Sequence, residues 1–70
     1  MKDKNTLRDS LRNELNALLF NHGKLYSFIC GNEFDSLNSE QQFLLNMQFE
    51  IMNNYISILK RRIDLIDKEG

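Results

Sequence analysis

Proline and tryptophan are absent from this chain of 70 residues, glycine occurs three times, and cysteine and histidine once each. Without proline, and with so little glycine, the chain has few places to reverse direction, which excludes hairpin-rich sandwiches and barrels. A lone Cys30 closes no internal disulfide, and with a single His22 it cannot complete a four-ligand structural zinc site. A reducing, cytoplasmic setting with no metal and no cofactor is therefore expected. Charge of one sign is lacking too, because nine Lys and Arg stand against ten Asp and Glu, a formal net charge of -1. The long-range field that draws in polymeric nucleic acid is missing, whereas a local cluster still suffices for a small anion. The longest early apolar run is only Ala17-Leu18-Leu19-Phe20, so neither a signal peptide nor a membrane span is expected.

What the chain does have is helical periodicity. Residues 7, 11, 15, 18, 22, 25 and 29 are leucine, isoleucine or, at 22, histidine, in steps of four and three that fit a helix and no strand. Thr6 with Asp9 three residues on matches a capping pattern, and Gly31 can take the left-handed conformation that stops a helix. A first helix over about 6–30 follows, with Gly23 its weak point. In the loop at 31–38, Phe34 and Leu37 are too apolar to dangle and are expected to plug the end of a hairpin. Asn38-Ser39-Glu40-Gln41 restarts a helix with an asparagine cap, an acid in the first turn and Gln41 at the reciprocal capping position. The second helix runs over about 39–67, and residues 1–5 and 69–70 are expected to fray. A loop this short makes two long helices antiparallel neighbours, so residues 1–70 read as one all-α domain, an αα-hairpin.

The second helix is apolar over too wide an arc. At about 100° per residue, its apolar residues from Leu44 to Ile66 spread over roughly 200°, whereas one partner helix covers a stripe only about 100° wide. Domains below roughly 70 to 80 residues seldom gain more than about 3 to 5 kcal/mol from a single core. Burying the surplus face between copies of the chain would supply what is missing, so a homo-oligomer is expected. The alternative is a structural or adaptor hairpin that offers the same face to a host or phage protein.

Polar residues interrupt that arc. Arg62 falls near its middle, with Gln48 also inside it. A buried arginine needs a carboxylate, a carbonyl cluster or an anionic ligand. The plainer alternative has Arg62 snorkel at the helix end or pair with Asp64, or with Glu14 of a neighbour. Lys60 and Arg61 complete a basic run of which only Arg62 points at the apolar face. On the first helix His22 sits mid-stripe, one turn before Tyr26, either as a core histidine bonded to one polar partner or as a ligand contact. Phe20 and Phe43 lie off the main stripes, where they suit an interface or a stacked base. With one histidine, no glycine-rich phosphate loop and carboxylates on different faces, no catalytic constellation emerges, and no enzyme is expected.

Lys24-Leu25-Tyr26-Ser27-Phe28-Ile29 is followed by Phe34-x-x-Leu37-x-x-Glu40-Gln41-Gln42-x-Leu44-Leu45, then by Gln48, Met52 and Tyr55-x-x-x-Leu59-x-x-Arg62-Ile63. Over about residues 14 to 66 this order resembles the helical-hairpin domain of phage anti-CBASS and anti-Thoeris proteins, which act as sponges for immune cyclic nucleotides. The resemblance implies a homo-oligomer, hexameric in the anti-CBASS branch, that binds cyclic di- or trinucleotides between protomers and degrades nothing. It also implies a phosphate-binding arginine late in the second helix, matched by Arg62. A lysine in the first helix has its counterpart in Lys24 or Asn21, and the aromatic contact of the family has no tyrosine before Tyr26 to supply it. The expected ligand site is thus Arg62, Lys24, Arg61, His22 and Tyr26, with no catalytic and no metal-binding residue.

Overall fold

Between Leu7 and Ile29 the apolar residues return every three or four positions, which places them on one side of an α-helix. In the computed structural model, which describes residues 4–69, the first helix, α1, spans Lys4–Ile29. A single-turn helix, α2, spans Asn32–Asp35, and the long helix α3 spans Ser39–Glu69. No strand occurs among the described residues, and no helix there is long and apolar enough to cross a membrane.

The ends of α1 differ from the sequence expectation. Thr6 lies inside the helix rather than capping it. Lys4 and Asn5 before it are already helical, and Arg8 reaches back to donate from Nη2 to Asn5 Oδ1 at 2.7 Å. Gly31 is not left-handed: its φ of -90° and ψ of 174° are extended. α1 closes instead through the Cys30 N–H on the Tyr26 carbonyl at 3.0 Å and the Gly31 N–H on the Phe28 carbonyl at 3.1 Å. Glycine suits position 31 because a Cβ would stand 3.3 Å from the Ser27 carbonyl oxygen. Of the ends expected to fray, residues 1–3 and 70 lie outside the described residues, and Lys4, Asn5 and Glu69 are helical.

The turn contains more helix than expected. Phe34 on α2 is buried and Leu37 half-buried, so the two do plug the closed end. Gln42 Nε2 donates to the Phe34 carbonyl at 2.9 Å and ties α2 to α3. α3 starts on the expected cap, Asn38 Oδ1 accepting the Gln41 N–H at 2.8 Å.

α1 and α3 run antiparallel. Arg8 Nη1 meets Asp67 Oδ1 at 3.0 Å, and His22 Nε2 meets Asn53 Oδ1 at 2.6 Å; in both pairs the residue numbers sum to 75. The facing rows are Leu11, Leu15, Leu18, His22, Leu25 and Ile29 against Leu45, Phe49, Met52, Ile56, Leu59, Ile63 and Ile66. Alternate steps of three and four give the 3.5-residue repeat of a two-helix seam. The driest part is Leu11, Leu59 and Ile63, with Leu15, Leu18 and Ile66 packed around it, far from the turn. The result is a rod of 49 × 18 × 15 Å whose radius of gyration is 15.8 Å, against about 11 Å for a compact chain of this length. Its accessible surface of 5455 Å² likewise exceeds the roughly 4,600 Å² usual for a folded chain of this mass.

Candidate functional site

The surplus area is concentrated on one side of α3. Leu44, Met47, Ile51, Tyr55, Ile58, Arg62 and Leu65 recur in steps of three and four, as the inner row does, but about a third of a turn away from it. All are exposed, with Ile51 the most open at 62%. Arg62 stands eighteen residues after Leu44, five whole turns at 3.6 residues each, so it shares that leucine's bearing within the row. Among the described residues it makes no hydrogen bond and no ion pair. Glu14 lies near its level on α1, yet the two are not paired.

His22 belongs to a different surface. Half-buried, it bonds Asn53 at 2.6 Å and stacks on Phe49 with ring centres 4.4 Å apart and planes inclined by 21°. The Tyr26 ring lies 5.9 Å from the same phenyl ring, inclined to it by 32°. Hydrogen bonding to the Cys30 side chain, then the charge on that thiol, then slight desolvation hold the Tyr26 phenol above its ordinary pKa of 10.0. Nine residues separate Asn53 from Arg62, which at about 100° each is half a turn, and at about 1.5 Å each roughly 14 Å of axis. The histidine cluster and Arg62 therefore face opposite ways.

Lys24 stands apart from both groups, its Nζ 5.4 Å from the centre of the exposed Phe20 ring. Arg61 is exposed one residue before Arg62 and about 100° round the helix from it. Of the five residues expected at the site, one copy of the chain joins only His22 with Tyr26, through Phe49. Uniting Arg62 with the aromatic cluster takes more than one copy.

Two polar features escape a sequence-only view. Asn53 is one of nine asparagines and nothing local marks it as the partner of His22. Arg8 and Arg12 converge on Asp67, at 3.0 and 3.8 Å, across an open groove also lined by Asn16, Lys60 and Asp64. Spacing four on a helix hints at the arginines sharing a face, but their acid lies at the far end of the chain. No three His, Cys, Asp or Glu side chains gather as a metal site among the described residues.

Chemically, α3 offers one unpaired guanidinium framed by aliphatic side chains and Tyr55, which suits an anion with a planar or apolar body. No curated protein and no solved structure matches the chain significantly. The family model called Sequestin covers residues 5–65, from the second residue of α1 to near the end of α3, and the chain belongs to the Sequestin family.

Proposed function

We propose that this chain, a member of a family whose name denotes sequestration, holds a cyclic di- or trinucleotide immune signal without degrading it. It would thereby keep a CBASS-type effector in the host cytoplasm from being activated, the role of the phage sponges that the sequence resembles. The observation that carries this is Arg62, an arginine whose side chain has no partner among the described residues, set in an exposed apolar row. A cyclic dinucleotide carries two phosphates related by near two-fold symmetry, and two copies of one interface present the same cation and the same aromatic twice. A three-fold arrangement would serve a trinucleotide in the same way. Arg61, Lys24, His22 and Tyr26 are proposed as further contacts from neighbouring copies.

Binding requires only complementary cations and stacking surfaces, and the ligand is to leave as it came. Calorimetry against a panel of cyclic di- and trinucleotides and cyclic ADP-ribose isomers should find one tight ligand. Chromatography after heating the complex should return it intact. Arg62→Ala should weaken that binding by about 2 to 4 kcal/mol, the range for a charge-assisted bond lost from a desolvated site, with helix content unchanged. No binding across the panel would favour the adaptor hairpin, and a hydrolysed product would make the chain an enzyme.

A further inference from the structure

The outer row of α3 is symmetric about its own midpoint. Four residues either side of Ile51 stand Met47 and Tyr55, and seven either side stand Leu44 and Ile58. Eleven either side stand Glu40 and Arg62, an acid opposite a base. All seven side chains lie within about 60° of one bearing on the helix, and all are exposed. Among the described residues neither Glu40 nor Arg62 forms an ion pair or hydrogen bond within the chain.

A sequence that reads alike in both directions along a helix fits itself when a second helix lies antiparallel. We propose that a second copy of this chain packs its α3 antiparallel along the outer row, Ile51 upon Ile51, with Arg62 of each copy against Glu40 of the other.

In this register every residue meets the one whose number completes a sum of 102. Leu44 meets Ile58, Met47 meets Tyr55, and the charges meet at both ends. Moving one copy by a single turn breaks both ion pairs and sets Arg62 against an apolar layer, so the charges fix the register as well as add attraction. A parallel arrangement would put Arg62 beside Arg62. The exposed area of Leu44, Met47, Ile51, Tyr55 and Ile58 amounts to roughly 500 Å² per copy; with Glu40 and Arg62 added, full burial would bring the pair to about 1,200 Å², the lower bound of stable interfaces. A guanidinium has five N–H donors and a carboxylate engages two, leaving others for a phosphate at either end of the seam. The arrangement shares with the proposed function the need for a second copy, and it does not depend on the ligand.

The test uses the full chain without nucleotide. In a Cys30→Ser background, Ile51→Cys should cross-link to itself under mild oxidation, because the two-fold axis brings position 51 beside its own copy. Ile58→Cys should not, yet it should cross-link in a mixture with Leu44→Cys. Light scattering should show that Arg62→Glu or Glu40→Arg alone weakens assembly about tenfold, and that the double exchange restores it. A monomer at high micromolar concentration would overturn the proposal. So would Ile58→Cys linking to itself in place of Ile51→Cys, or a double exchange no better than either single one. Cross-linking at Ile51 by a chain that binds none of the nucleotides in the panel would confirm the interface and end the sponge reading. Nucleotide binding with another cross-linking pattern would do the reverse.

Discussion

The two apolar rows of α3 use the same residue types at the same spacing, and differ in what covers them. The inner row faces α1, and Leu59 within it is 0% exposed. The outer row, about a third of a turn away, leaves Ile51 at 62% and Ile58 at 56%. Each row meets one interruption in its hydrophobic surface. On the inner side it is His22, which is answered by Asn53 and Phe49; on the outer side it is Arg62, which no side chain among the described residues answers. One helix is thus half a finished core and half an unfinished one, and the polar residue left without a partner marks the unfinished half.

Breaking the inner row should do the greatest damage. Leu59→Ala removes a fully buried side chain and should cost about 2 to 5 kcal/mol of unfolding free energy, read by urea titration. Ile51→Ala, on the open row, should leave unfolding of the dissociated chain nearly unchanged and weaken only assembly. A smaller contrast tests the polar partners. Asn53→Ala breaks the bond to His22 and should cost about 1 kcal/mol. Asn54→Ala next to it, with no such bond among the described residues, should stay within about 0.5 kcal/mol.

Gly23 lies on neither row, and a Cβ there would meet nothing within 4 Å. Gly23→Ala should therefore stabilise α1 by about 0.5 to 1 kcal/mol, seen as a higher urea midpoint with ligand binding unaffected. The smallest effect is spectroscopic. Folding favours the neutral Tyr26 phenol, so this contribution is complete below about pH 10 and vanishes as pH climbs through the raised folded value. In a Tyr55→Phe background, Tyr26 is the sole phenol, and its absorbance should titrate above 10.0; Cys30→Ala should bring it back down.

Much of this fold can be read from the residues. The leucine row of α1, the Asn38 cap and the two plugs at Phe34 and Leu37 each follow from local chemistry, and the excess width of the α3 apolar arc foretells the exposed row beside the one that α1 covers. Gly31 shows where local rules mislead: glycine is needed there for clearance from a carbonyl, not for a left-handed turn, and only the folded backbone distinguishes these. The site was less legible. Periodicity places Arg62 in an apolar arc but does not say which half α1 would cover. The pairing of His22 with Asn53 spans thirty-one residues and depends on a register that no single helix contains. The separation of His22 and Tyr26 from Arg62 follows from that same register.

The position of the dry core at the open end of the hairpin, away from the turn, has a bearing on how the molecule opens. A hairpin usually loosens at its free ends, where closing the chain costs most entropy and each lost contact costs least. Here Leu11, Leu59 and Ile63 sit near those ends, reinforced by the clasp of Arg8 and Arg12 on Asp67. Contacts nearer the turn, His22 with Asn53 and Phe49, are wetter and more polar. With the mouth latched, local opening is expected to start in the interior of the rod, which hydrogen exchange faster at the amides around His22 and Asn53 than around Leu11 and Leu59 would show.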